Sequence, residues 1–277
     1  MAAPQLSVTL NDGRAMPQFG LGVWRTPQDE AAEVVKTALQ AGYRSVDTAA
    51  IYGNERGVGE GLRTSGVARD DIFLTTKLWN DNQGHASALA AFDKSLGRLG
   101  LDAVDLYLIH WPAPKKDLYL DSWKAMIELN KQGRARSIGV SNFAVEHLER
   151  LIGETGVTPA VNQIELHPSF QQRALRAFHE KHGIHTMSWS PLGQGQQLED
   201  PVVATIAAKH GKTPAQIVIR WHLDNGLIVI PKSVTPSRIV ENAQVFDFAL
   251  DAADLEQMAA LDKTAGRIGP DPVTADF

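Results

Sequence analysis

Eight short apolar runs recur along the chain, most of them followed by a longer segment with helical spacing. They are Phe19–Val23, Ser45–Asp47, Ile72–Lys77, Val104–Ile109, Arg136–Ser141, Val161–Glu165, His185–Trp189 and Leu227–Ile230. Most are unalternated (Val104-Asp-Leu-Tyr-Leu-Ile is typical), which suits strands covered on both faces in a parallel sheet. Amphipathic stretches at Asp29–Ala41, Ser87–Leu99, Ser122–Lys131 and Gln172–His182 predict helices. Gly42, Gly100, Gly133 and Gly183 follow them, where a left-handed helix stop favours glycine. No Pro/Gly/Ser linker interrupts the pattern, so residues 1–277 are expected to form one α/β domain. A (β/α)8 TIM barrel is favoured over a doubly wound open sheet, because eight strands suffice for closure. Two pieces lie outside the repeat. Val8–Met16 reads as an N-terminal β-hairpin turning at Asn11-Asp12-Gly13 and plugging the barrel bottom. Asp251–Leu261 reads as an extra C-terminal helix, and Gly266–Phe277 as an irregular tail that could lie across one barrel mouth.

Composition narrows the chemistry. There is no cysteine, which removes disulfides, thiolate metal sites and cysteine nucleophiles. The 27 basic and 32 acidic residues are well mixed, giving a net charge of −5 that argues against broad nucleic-acid binding. No run approaches the ~18 apolar residues of a membrane span. The opening MAAPQLSVTL lacks the basic start and apolar core of a signal peptide, and a cytoplasmic monomer is expected. Several apparent motifs fail on spacing. His210-Gly-Lys-Thr213 ends like a phosphate loop, but Ile206 stands where the first glycine belongs; a helix end and a new cap near Thr213-Pro214 are expected instead. His179 and His182 are three apart, not four, so the segment reads as surface helix without a metal. Gly57, Gly59 and Gly61 do not make a dinucleotide fingerprint, so any nucleotide must be held by another device.

In a barrel of this kind the chemistry sits at the C-terminal ends of the strands and in the loops after them. Those positions carry Asp47, Lys77, His110, Ser141, Asn142, Gln163, Trp189 and Lys232, with Tyr52 just past Asp47. A lysine desolvated at a barrel mouth needs an anion, which Asp47 supplies. A phenol beside that ammonium is expected to titrate below its free value near ~10 and to donate a proton readily. His110 offers a neutral ring nitrogen to orient a carbonyl oxygen. Trp24, Trp79 and Trp111, each in a loop after a strand, are expected to line the substrate pocket with His110 and keep it poor in water. An acid without a nucleophile, metal or paired carboxylates suits protonation of a carbonyl oxygen as the carbon gains hydride from a cofactor. Trp189 is placed to stack on a nicotinamide, and Ser141, Asn142 and Gln163 to hold its carboxamide. Pro231-Lys-Ser-Val-Thr-Pro-Ser-Arg238 opens a helix with two cations and suits a 2′-phosphate. Two alternatives stay open: a nicotinamide-sensing or structural barrel, and a phosphate-binding isomerase or aldolase using Lys77 as a Schiff base.

Over essentially its whole length the sequence resembles the aldo-keto reductase superfamily. Asp47-Thr-Ala-Ala-Ile-Tyr52-Gly-Asn-Glu is similar to the family's tyrosine motif. Val140-Ser-Asn-Phe, Asn162-Gln-Ile-Glu-Leu-His-Pro and Ile230-Pro-Lys-Ser are similar to its carboxamide and phosphate motifs. Ser188-Trp-Ser-Pro-Leu-Gly-Gln-Gly, Thr76-Lys-Leu-Trp-Asn and Gly211-Lys-Thr-Pro-Ala-Gln resemble the bacterial 2,5-diketo-D-gluconate reductase branch. The resemblance implies an NADPH-dependent reductase of small carbonyl compounds on a (β/α)8 barrel. Asp47, Tyr52, Lys77 and His110 then fall on the catalytic tetrad, with Tyr52 as the acid. Ser190, Leu192, Gly193 and Gln194 fall on the loop crossing the pyrophosphate. Lys232, Ser233 and Arg238, with Val234 among them, fall on the 2′-phosphate site, and Glu241 and Asn242 near the adenine. Diketogluconate reductases carry an arginine where this chain has Thr235, one cofactor contact fewer; Lys232 and Arg238 keep NADP the expected preference. The tail is shorter than in mammalian relatives, which implies a broad substrate range.

Overall fold

The computed structural model describes residues 6–275. The start of the segment read for a signal peptide and the end of the tail lie outside them. Strands β1 (Ser7–Thr9) and β2 (Ala15–Pro17) pair antiparallel, Val8 opposite Met16. Gly13, at φ +85°, turns the hairpin, and its N–H donates to the Leu10 carbonyl at 2.9 Å. Leu10 and Met16 pack with Leu106, Leu108, Val161, Met187 and Ile228 and so plug the barrel floor as expected.

The barrel strands are β3 (Leu21–Gly22), β4 (Ser45–Asp47), β5 (Phe73–Leu78), β6 (Val104–Ile109) and β7 (Ala135–Ser141). β8 (Val161–Glu165), β9 (His185–Trp189) and β10 (Ile228–Val229) complete them. Neighbours in sequence are neighbours in the sheet, all parallel. A bridge between Phe19 and Val229 joins the two ends, so the predicted barrel closes. β3 and β10 are shorter than the apolar runs suggest because the seam is made by loop backbone. The N–H of Gly20 donates to the Val229 carbonyl at 2.9 Å and that of Gly22 to the Pro231 carbonyl at 3.1 Å. A Cβ on Gly22 would stand 2.9 Å from the Ile230 carbonyl oxygen, so the seam requires glycine there.

The four predicted helices occur as Gln28–Gln40, His85–Leu99, Tyr119–Lys131 and Arg173–His182. The glycine after each has positive φ. The predicted C-terminal helix is Ala252–Ala259, capped by Asp251. One helix ends at His210 and the next starts at Pro214 under a Thr213–Gln216 capping box, so the phosphate-loop look-alike is a helix junction. Gly57, Gly59 and Gly61 serve helix packing. A Cβ on Gly59 would meet the Leu99 carbonyl at 2.1 Å, and one on Gly61 the Ala32 carbonyl at 2.6 Å. His179 corrects the surface-helix expectation. It is buried, with Nε2 2.9 Å from the Asn162 amide and Nδ1 2.8 Å from the Thr186 hydroxyl, and burial pushes its pKa down to about 3. The polar composition of Arg173–His182 hides one inward position whose partners come from β8 and β9. Among the described residues no helix is long and apolar enough to cross a membrane, and no acidic, histidine or cysteine cluster could hold a metal.

Candidate active site

A cavity of about 470 Å³ opens at the C-terminal ends of the strands. Asp47, Tyr52, His110, Ser141, Asn142, Gln163, Trp189, Ser190, Gln194 and Lys232 line it, and so do Trp24, Trp79 and Trp111. Lys77 lies beneath the floor, wholly buried. Its Nζ donates to Asp47 Oδ1 at 2.5 Å, to the Thr48 carbonyl at 2.9 Å and to Tyr52 Oη at 3.5 Å. An ammonium has three donors and no acceptor, and all three neighbours accept, so the geometry assigns Lys77 the charged form. Burial pushes Asp47 up and Lys77 down, each against the attraction of the other. Gln163 Nε2 supports the carboxylate from the far side, at 2.7 Å from Asp47 Oδ2. With its nitrogen buried and committed to Asp47, Lys77 cannot reach a substrate carbonyl, which removes the Schiff-base alternative.

One expectation is overturned. The Tyr52 phenol lies well above its ordinary range, raised first by burial and then by the Asp47 charge. The ammonium that was to acidify it is spent on Asp47 at 2.5 Å and stands at the outer limit of a hydrogen bond to Oη. The phenol therefore faces a compensated ion pair and remains protonated. His110 bears out the neutral ring: burial, and then the Lys77 charge, pull its pKa well below the ordinary value. Its Nδ1 is buried without a partner, and Tyr52 and Trp79 flank the ring edge to face at 5.7 and 5.3 Å between centroids.

The amide cluster is bound to itself. Trp189 Nε1 donates to Asn142 Oδ1 at 2.8 Å, Asn142 Nδ2 donates to the His110 carbonyl at 3.0 Å and Ser141 Oγ donates to the Gln163 carbonyl at 2.8 Å. Backbone strain gathers here. Seven described non-glycine residues have positive φ, and four of them (Arg25, Asn142, Ser190 and Gln194) line the cavity. Such conformations cost about 1–3 kcal/mol each and cluster where ligands bind.

Leu192, Gly193, Ser233, Val234, Arg238, Glu241 and Asn242 do not line the cavity. Leu192 and Val234 pack on the core, and Gly193 lies against the Gln197 side chain. Lys232, at the cavity lip, leads away to the helix Pro236–Asn242, where Glu241 accepts from the Thr213 hydroxyl at 3.0 Å and Asn242 is buried. Lys232 and Arg238 are exposed and make no ion pair among the described residues. Sequence reasoning missed Arg25, whose guanidinium stands 4.2 Å from the Trp24 ring centroid at the cavity edge. It also missed Glu165, buried at the end of β8; the tail does lie across the mouth as expected, with Ile268, Gly269 and Pro270 walling the cavity. Glu165 was within reach: it follows Gln163 by two residues and so points to the same face of the strand.

Residues 16–263 match the Aldo/keto reductase family. The chain is 58% identical over 270 residues to an aldo-keto reductase of Mycolicibacterium smegmatis, covering 98% of each chain. It is 56% identical over 274 residues to methylglyoxal reductase DkgA of Escherichia coli, again covering 98% of each. The crystal structure of Gox0644 in its apo form aligns with a TM-score of 0.96 at 59% identity, over 99% of this chain and 100% of that one. A Gox0644 mutant in complex with NADPH aligns with a TM-score of 0.96 at 58% identity and the same coverage. From the closed barrel, the tyrosine motif at its mouth and relatives matched end to end, it follows that the chain belongs to the aldo/keto reductase family.

Proposed function

We infer that this chain is an NADPH-dependent reductase of aldehydes and reactive ketones, dicarbonyls above all and diketo sugar acids among them, with Tyr52 as general acid. The observation that carries the reading is the Lys77–Asp47 pair buried under the Tyr52 hydroxyl, at the floor of a pocket walled by three tryptophans. The residues fit the cofactor. Ser141, Asn142 and Gln163 offer donors and acceptors beside the Trp189 ring for a carboxamide. Unpaired Lys232 and Arg238 suit a 2′-phosphate, with Ser233 and Val234 between them; Glu241 and Asn242, farther along the helix that carries Arg238, would stand near the adenine. Ser190, Leu192, Gly193 and Gln194 form the segment that would cross the pyrophosphate.

Bound NADPH supplies the hydride. The chain's own residues supply position and a proton. The tryptophans exclude water from the pocket, and neutral His110 orients the substrate oxygen toward Tyr52. As that oxygen gains basicity, Tyr52 Oη delivers its proton to it. Lys77, held by Asp47, then turns its third N–H to the phenolate as a hydrogen-bond donor. A phenol with a raised pKa suits this order, because it stays protonated until an alkoxide, a stronger base than phenolate, develops beside it. Every group named here comes from one barrel, so a single chain suffices for this reading.

Methylglyoxal added to protein and NADPH should bleach the near-ultraviolet absorbance of NADPH; no oxidation across a panel of dicarbonyls, diketo sugar acids and aromatic aldehydes would refute the reading. Lys232→Ala and Arg238→Ala should each weaken NADPH binding by about tenfold, the scale of one charge-assisted hydrogen bond, and leave NADH binding unchanged. Fluorescence titration with both cofactors checks this. An equal loss for both cofactors would remove these cations from the 2′-phosphate.

A further inference from the structure

Glu165 is a buried carboxylate that the reductase mechanism does not use. Its Oε1 accepts from the Ile268 N–H at 2.6 Å and its Oε2 from the Gly269 N–H at 2.8 Å, a two-point clasp on successive amides of the tail. No lysine or arginine pairs with it among the described residues; its one ionisable partner is His167, whose Nε2 stands 3.1 Å from Oε1. These bonds keep the carboxyl below its usual range although burial opposes them. An ionised carboxylate only accepts, so His167 Nε2 donates to Glu165. Ser169 Oγ lies 3.1 Å from His167 Nδ1 and itself receives the Gln197 amide N–H at 2.8 Å. A continuous chain of hydrogen bonds thus runs Gln197–Ser169–His167–Glu165.

The two ends of this chain meet the two halves of the site. At one end, Ile268, Gly269 and Pro270 wall the cavity. Gly269 is pressed so closely into place that a Cβ would stand 2.6 Å from Trp189 Cη2 and 2.9 Å from Glu165 Oε2. At the other end Gln197 packs on Gly193, where a Cβ would stand 2.7 Å from Gln197 Cγ. The turn Gly193–Glu199 continues directly from the cavity-lining residues Ser190 and Pro191. Further contacts seat the tail on the same β8 loop: Lys263 N–H donates to the Ser169 carbonyl at 3.1 Å, and the Arg267 guanidinium stands 4.8 Å from the Phe170 ring centroid.

We propose that Glu165 is a positioning residue that holds the 268–270 tail as the substrate wall and, through His167, Ser169 and Gln197, ties that wall to the 190–199 segment beside the cofactor. The proposal rests on the reductase reading for its kinetic consequences but not for the clasp itself. Substrate capture and cofactor affinity then depend together on a group that touches neither.

Glu165→Gln sets an amide against one of the two tail N–H groups and should raise the KM for methylglyoxal about tenfold, with kcat held within about twofold. NADPH affinity should fall about threefold by fluorescence titration, a smaller effect because the relay reaches that segment only through Gln197. Hydrogen exchange of the 266–275 peptide in cofactor-free protein should quicken at least about tenfold while β5 and β6 peptides keep their protection. Gly269→Ala keeps the carboxylate charge but drives a Cβ against Trp189 and Glu165, so it displaces the tail and should reproduce the KM rise and the faster tail exchange. Unchanged tail exchange in both variants overturns the clasp. Faster exchange with kcat falling and KM constant overturns the positioning role. Unchanged NADPH affinity in Glu165→Gln overturns the link to the 190–199 segment. A wild-type protein without NADPH-dependent turnover would sink the reductase reading, and the exchange comparison would still judge the clasp.

Discussion

Replacing Tyr52 by phenylalanine should lower kcat for carbonyl reduction by about 10²–10⁴-fold, the range a positioned general acid supplies. The affinity for NADPH should stay within about twofold of the parent. The second half of the expectation follows from the geometry under the ring. Lys77 loses only its 3.5 Å contact to Oη and keeps Asp47 at 2.5 Å and the Thr48 carbonyl at 2.9 Å. The ion pair therefore survives, and the ring of the new phenylalanine can still pack against His110. Single-turnover oxidation of NADPH separates the chemical step from release, and a fluorescence titration reads the binding. Near-parental single-turnover rates would show that the proton comes from elsewhere, His110 or water being the remaining sources. Loss of binding together with loss of rate would make Tyr52 a structural residue.

The barrel and the members of its site were legible in the chain because both depend on local pattern. β4, β6, β8 and β9 have the bounds that the apolar runs predict. The residues at the strand ends then fall at one mouth by topology alone, which is why Asp47, His110, Gln163 and Trp189 meet in one cavity. Pairings between distant residues were not legible. The sequence places an ammonium, a carboxylate and a phenol together but does not say which two the third is left to face; the 2.5 Å Lys77–Asp47 contact decides it and reverses the expected direction for Tyr52. His179 was hidden for the same reason, its partners Asn162 and Thr186 lying on other elements. The tail was foreseen as irregular and near a mouth, but the group that holds it is a carboxylate 103 residues away from Ile268, beyond any local pattern.

Breaking the Lys77–Asp47 pair should cost much of the fold's stability, and the effect should be divisible from catalysis. Lys77→Met leaves Asp47, 2% exposed, with Gln163 Nε2 at 2.7 Å as its remaining side-chain donor. Breaking a buried pair from one side costs about 3–5 kcal/mol. In a chain of this size each kcal/mol is worth about 2–4 °C of melting temperature. The sign of the pH dependence identifies the cause. Burial already pushes Asp47 above its ordinary pKa, against the pull of Lys77; without the lysine the folded-state value rises further above the unfolded one. A carboxyl raised in the folded state destabilises above that raised value and ceases to do so as it takes up its proton. The deficit of Lys77→Met relative to the parent should therefore shrink as pH falls from neutrality, measured by denaturant unfolding at several pH values. Adding Asp47→Asn removes the unpaired charge, and the double variant should regain most of the lost stability at neutral pH, because a buried pair replaced as a unit is often close to neutral. It should not regain activity, since Tyr52 then lacks the ammonium that receives its phenolate. A double variant that recovered both would make the pair a structural device only. One that recovered neither would mean that the cost of Lys77→Met does not come from the unpaired Asp47 charge.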